Sequence, residues 1–229
     1  MVFVFRQMFD QTILHAARLP TIFQNYGRDE TVYRPGAPAR FIYVVSKGAF
    51  CRFRLFPDGR RLITQFLLPG DGFGYELGRQ QHDDTVQALA VTNQVAFASK
   101  DALLKAAKSD AHLANLLFTA AARAAAIERE RFRVLLNRTT TEQVALFLLE
   151  MDTRLSRRGE IDLPMRRSCI ADYLGRRIES VSRVLSAFRR AKIIEFLDHP
   201  KIQRRVAIRD KRRLERFAWD ASDFGWGKS

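Results

Sequence analysis

One short stretch of this 229-residue chain combines residue types and spacing into a reading surface. Between Glu179 and Ala191, Val181, Leu185 and Phe188 recur at i, i+4 and i+7, the spacing of one buried helical stripe. Glu179, Ser180, Ser182, Arg183 and Arg190 are then left on the opposite side. A carboxylate accepts a hydrogen bond from the amino group of cytosine, and a guanidinium meets guanine O6 and N7 with two donors. Glu179, Ser182 and Arg183 are therefore candidates for contact with base edges. Arg176, Arg177, Ser180, Arg189, Arg190 and Lys192 suit phosphate oxygens, as do Lys201, Arg204 and Arg205 downstream. A plain solvated helix face is the alternative, and it leaves a lone exposed acid among arginines without a purpose.

Such a set works only on a helix that is short, anchored on one side and open on the other. The sequence predicts a first helix over 167–174, a tight turn at Gly175, the reading helix over 179–191, and two strands, Ile193–Leu197 and Arg204–Ile208. That order is a winged helix-turn-helix. Upstream, Thr139–Asp152 reads as an amphipathic helix with Thr139 to Thr141 as N-caps, and 156–164 as a loop. Charge follows the same division. Of a formal net charge of +14, residues 1–122 carry +4, whereas 166–213 alone carry +10. A block this local points to a polyanion, nucleic acid before membrane.

Between them, Leu113, Leu117, Ala120, Ala124, Ile127, Arg131 and Val134 step alternately by four and three, a heptad seam in an Ala-rich run without Gly or Pro. The seam predicts pairing with a second copy, with Arg131 fixing register; packing on the chain's own N-terminal domain is the alternative. The expected organisation is a β-roll over 1–110, a dimerisation helix over 111–138 and a DNA-binding domain over 139–229. The roll rests on short strands between turn signals: Phe41–Val45, Ala49–Phe56 alternating with period two, and Arg61–Leu68 returning after Pro57-Asp58-Gly59. The fold class is α+β.

Met165 to Phe188, with its core Glu179-Ser-Val-Ser-Arg183, resembles the helix-turn-helix of the Crp/Fnr family of bacterial transcription regulators, closest to its Fnr and FixK branches. Arg34 to Gly48 and Asp58 to Gly74 are similar to that family's cyclic-nucleotide-binding-type β-roll. The resemblance implies a homodimer on double-stranded DNA, with Glu179, Ser182 and Arg183 reading a two-fold site of TTGA-type half-sites. It also implies RNA polymerase as a partner and activation in low-oxygen or nitrogen-oxide respiration. Two positions depart from the pattern: Arg177 replaces a Thr or Ser N-cap, and Cys169 replaces an Asp.

No cofactor is expected. In the family's roll a Gly-Glu pair holds the ribose and an Arg holds the phosphate; here Glu76 is displaced by one residue from Gly74, and Asp83, Asp84 and Thr85 stand where the Arg belongs. Only Arg79 is near enough in sequence to offset those carboxylates. Cys51 and Cys169 cannot supply the thiolates of an iron–sulfur cluster, and His15, His82, His112 and His199 are isolated, so neither metal nor haem is expected. A FixK-like regulator active without a small ligand fits best; a ligand-gated regulator is the alternative. No nucleophile–base arrangement or phosphate-cradling loop supports an enzymatic barrel. The two cysteines, the lack of a run of about 18 apolar residues and an N-terminus without signal-peptide features predict a cytoplasmic chain with no membrane contact. Cys169, near Arg166 and Arg167 at a helix start, is a candidate redox handle, with a small buried filler as the plainer reading.

Overall fold

The computed structural model describes residues 11–75, 78–199 and 202–219. The chain forms two compact units that meet in sequence between Arg129 and Glu130, inside a long helix. The first opens with α1 (Gln11–Ala16) and continues through β1 (Ile22–Gly27), β2 (Thr31–Tyr33), β3 (Phe41–Lys47), β4 (Phe50–Leu55), β5 (Arg61–Leu67), β6 (Gly72–Phe73), β7 (Thr85–Ala88) and β8 (Thr92–Ser99). These make two antiparallel four-stranded sheets, ordered β1-β8-β3-β6 and β2-β7-β4-β5. Tyr26, Tyr43, Phe50, Phe73, Val86 and Val95 form one core between them. The alternation expected through β4 is interrupted by a register shift between Arg52 and Phe53, so four successive residues, Phe50 to Phe53, are buried. At the β3–β4 turn a Cβ on Gly48 would strike Asn93 and the Thr92 carbonyl. Asn93, fully buried, accepts there from Ala49 N and donates to the Tyr26 carbonyl.

Two helices follow, α2 (Lys100–Ser109) and α3 (Ala111–Asn137). Leu113, Leu117 and Ala120 of α3 are buried in a second core with Ile42, Val44, Ala98 and Leu103. At these three positions the packing favours the alternative, a helix set on the chain's own N-terminal domain. A heptad stripe is satisfied by any apolar partner, and here the chain's own sheet takes its first three positions. The neighbouring stripe, Ala114, Phe118, Ala121 and Ala125, is the exposed one, and Phe118 keeps 75% of its surface. Ala124, Ile127 and Val134 are half-buried.

The second unit contains α4 (Thr140–Leu155), β9 (Glu160–Asp162), α5 (Arg167–Leu174), α6 (Ile178–Arg190), β10 (Ile194–Phe196), β11 (Arg205–Ile208) and α7 (Lys211–Trp219). The wing is a three-stranded sheet, β10-β11-β9, rather than the expected pair. Its third strand lies in the segment read as a loop, because three residues with only Ile161 facing inward carry no visible period.

Candidate nucleic-acid interface

α5 ends at Gly175, whose left-handed φ of 61° and ψ of 35° let its N–H reach the Ala171 carbonyl and turn the chain sharply. α6 then begins at Ile178. Val181, Leu185 and Phe188 are buried as predicted, with the Phe188 ring 5.1 Å from Phe217. The anchored face fixes what the open face presents. Glu179 and Arg183 are exposed and Ser182 is half-buried. Among the described residues their side chains take no hydrogen bond or ion pair, so the acceptor and the guanidinium are available to an outside partner. Ser180 is half-buried one turn in, while Arg177, Arg189 and Arg190 are exposed.

Arg177 occupies the N-cap of α6 without making a side-chain cap bond. Ser at this position should add about 0.5–2 kcal/mol of stability, since it supplies the missing acceptor for a first-turn N–H. The Arg177→Ser variant is expected to unfold at higher urea while binding DNA less tightly; equal unfolding midpoints would show the cap is satisfied otherwise.

The surrounding cations divide into available and committed groups. Arg167 packs over Phe196 at 5.3 Å, donates to Gln203 Oε1, and has its pKa lowered by burial and then by the nearby Arg189. Arg204 N donates to Asp198 Oδ2 at 2.7 Å, which pins the wing turn. Arg205 faces Glu160 at 2.6 Å and is raised in pKa chiefly by that bond, so its charge is already balanced. Lys201 and Glu76 lie outside the described residues.

Arg176, expected at a phosphate, makes two hydrogen bonds within the chain. Its Nε donates to Gln143 Oε1 at 2.9 Å and its Nη2 to the Arg138 carbonyl at 2.8 Å. Arg131 departs likewise from the seam: its guanidinium lies 4.0 Å over the Tyr173 ring and donates to the Tyr173 carbonyl. Tyr173 in turn donates to Glu150, and burial, with Glu150 adding, pushes its phenol up to about 12. Neither role was legible beforehand, because an arginine beside a tight turn or in an apolar stripe announces charge but not its acceptor.

The joint between α3 and α4 is braced by a capping box. Thr139 N donates to Glu142 Oε2 at 2.6 Å and Glu142 N to Thr139 Oγ1 at 3.3 Å. Burial opposes ionisation of Glu142, but the bonds from Thr139 and then Arg138 outweigh it, and its pKa lies below the usual 4.5. Because the folded value is the lower one, the contribution is complete above 4.5 and is lost as pH falls through the folded value. Glu142→Gln is therefore expected to lower stability at neutral pH and to flatten its decline in acid, read from urea unfolding between about pH 3 and pH 7. Parallel pH profiles for the two proteins would contradict this.

In the roll, Arg54 meets Asp84 at 2.6 Å, Arg52 lies 3.6 Å from the same carboxylate, and Arg79 pairs with Asp83. The expectation that only Arg79 could offset these acids is corrected: β4 delivers two more guanidinium groups from across the sheet. An open groove of about 820 Å³ beside them is lined by Arg34, Arg54, His82, Asp83 and Thr85. His82 is stacked on Tyr33 with ring centroids 3.6 Å apart. Cys51 and Cys169 are buried thiols, Cys169 at 6% exposure, as a packed filler would be. Among the described residues no cluster of three metal-ligating side chains occurs, and no helix is long and apolar enough to cross a membrane.

Comparison with known proteins accords with this geometry. The Crp-like helix-turn-helix domain family matches residues 142–217, and the cyclic nucleotide-binding domain family matches 23–110. The nitrogen fixation regulation protein FixK of Azorhizobium caulinodans is 32% identical over 209 residues, covering 89% of this chain and 81% of that protein. The transcriptional activatory protein AadR of Rhodopseudomonas palustris is 31% identical over 74% of this chain and 72% of its own length. The structure of FixK2 from Bradyrhizobium japonicum superposes with a TM-score of 0.82 at 36% identity, covering 87% of this chain and 98% of that one. The chain belongs to the Crp/Fnr family of transcription regulators, in its FixK-like branch, and is a DNA-binding regulator rather than an enzyme.

Proposed function

We propose that the chain acts as a cytoplasmic homodimer that binds an inverted repeat of TTGA-type half-sites, recruits RNA polymerase and activates genes of low-oxygen or nitrogen-oxide respiration. The observation that carries the DNA-reading part is α6: buried Val181, Leu185 and Phe188 hold it, while Glu179, Ser182 and Arg183 have no partner within the described chain. The name of AadR, a transcriptional activatory protein, supports activation, and that of FixK, a nitrogen fixation regulation protein, supports a role in nitrogen metabolism. Two copies meeting along the exposed Phe118 stripe of α3 would place two reading helices on one duplex.

The regulator works without a cyclic nucleotide. Of the guanidinium groups beside the groove, Arg52, Arg54 and Arg79 are engaged by Asp83 and Asp84, which leaves Arg34 alone to meet a phosphate and sets two carboxylates against it. Sequencing the fragments that the full-length protein selects from a random DNA pool tests the reading. Enrichment of TTGA inverted repeats about one helical turn apart, unaltered by added cAMP, is the expected result. Selection of a single asymmetric half-site, or selection only with cAMP present, would overturn the dimeric or the ligand-free part respectively.

A further inference from the structure

We propose that Arg176 is a positioning residue that clasps the reading head to the end of α3, and does not serve as a phosphate contact. α3 ends without a basic side chain in its last turn, although the carbonyls there have no intrahelical donors and carry the negative end of the helix dipole. Donors therefore have to arrive from elsewhere. Gln143 of α4, fully buried, donates its Nε2 to the Val134 carbonyl at 3.2 Å. Arg176 donates to the Arg138 carbonyl at 2.8 Å and to Gln143 Oε1 at 2.9 Å, so one guanidinium holds both the joint and the amide that caps the helix before it.

The point of attachment matters more than the strength of the bonds. Arg176 follows Gly175 directly and lies one residue before the N-cap of α6. The backbone that starts the reading helix is thus tied within two residues to the last turn of α3. Arg138, the residue whose carbonyl is held, uses its own guanidinium on Glu142 and on the Ala218 carbonyl, so the joint is gripped from α4 and α7 as well. Loosening the clasp leaves the base-reading side chains in place and widens the range of positions from which α6 approaches the groove.

The two roles predict opposite salt behaviour. Each lost phosphate contact lowers the slope of log affinity against log salt by about 0.9, whereas loss of an internal bond leaves it nearly unchanged. Affinity of the full-length protein for a TTGA inverted repeat would be measured by fluorescence anisotropy over about 50–200 mM salt. The variants are Arg176→Ala, Arg176→Lys, Gln143→Met and the Ala/Met pair. The expected result is a roughly three- to tenfold loss for each single variant with an unchanged slope, and no further loss in the pair, because both remove one shared link. Arg176→Lys should behave like Ala, since it replaces the rigid fork of Nε and Nη2 donors with a compact charge on a flexible stem. A slope lower by about one in Arg176→Ala, with Arg176→Lys near wild type and Gln143→Met neutral, would assign Arg176 to a phosphate and overturn the clasp. If Gln143→Met fails to fold, the Lys and Ala variants decide alone. The inference rests on the DNA-reading function. A wild type that selects no sequence overturns both, and a selective wild type whose variants bind equally overturns only the clasp.

Discussion

Replacing Arg183 with alanine is expected to erase discrimination at one base pair of each half-site while leaving the other positions ranked as before. A bidentate guanidinium on guanine contributes about 1–3 kcal/mol of preference over the wrong base, a factor of roughly 5 to 150. The structure gives Arg183 no competing acceptor among the described residues, so that preference is not diluted by an internal partner. Arg177→Ala provides the contrast. Its side chain makes no cap bond and is exposed at the start of α6, the position from which a phosphate is reached. It should weaken every sequence alike and reduce the salt slope by about one. A gel-shift series on point-substituted half-sites separates the two, and uniform loss in Arg183→Ala would remove it from the base-reading set. Glu179→Gln belongs with Arg183, because it keeps an acceptor but adds a donor, and so should broaden the preference at its own base pair.

The elements of the reading head were legible because each is marked by a hard local constraint. Gly175 sits where a left-handed turn is needed, and the i, i+4, i+7 spacing of Val181, Leu185 and Phe188 leaves only one way to anchor α6. An N-cap for α4 was marked by the run Thr139 to Thr141, of which Thr139 takes the place. What escaped were the partners of long charged side chains. Arg52, Arg54, Arg131 and Arg176 all find acceptors 30 or more residues away, and nothing local in the sequence encodes a pairing that the sheet or the helix packing creates. Charge counting therefore does not separate arginines engaged within the chain from those left open. Of the 15 basic groups in 166–213, Arg205 is paired with Glu160 and Arg209 with Glu195, while Arg176 is turned toward the Arg138 carbonyl at the α3–α4 joint. The exposed acid Glu179 makes no hydrogen bond or ion pair among the described residues, even with Arg183 one turn along the same helix.

The two faces of α3 should separate folding from association, in the opposite sense to the one the heptad suggests. Leu113 is 1% exposed and packs with Ile42, Leu103 and Ala98 of its own unit. Leu113→Ala is expected to cost about 2–5 kcal/mol of folding stability, the range for deleting a fully buried leucine, with little change in the dimer constant of the molecules that remain folded. Phe118, five residues on, is 75% exposed. Phe118→Lys removes no contact within the described chain and should leave the unfolding midpoint within about 0.5 kcal/mol. If the proposed dimer uses this stripe, the buried phenyl is a central anchor, and losing it should weaken association by at least about 2 kcal/mol, or some thirtyfold. Sedimentation equilibrium and urea unfolding on the same two variants give both quantities. A dimer that survives Phe118→Lys but dissociates in folded Leu113→Ala would return the interface to the original seam. That would require α3 to leave its own sheet, exposing Ile42, Val44 and Leu103 in each monomer, a cost the observed packing makes hard to recover from an alanine-rich stripe.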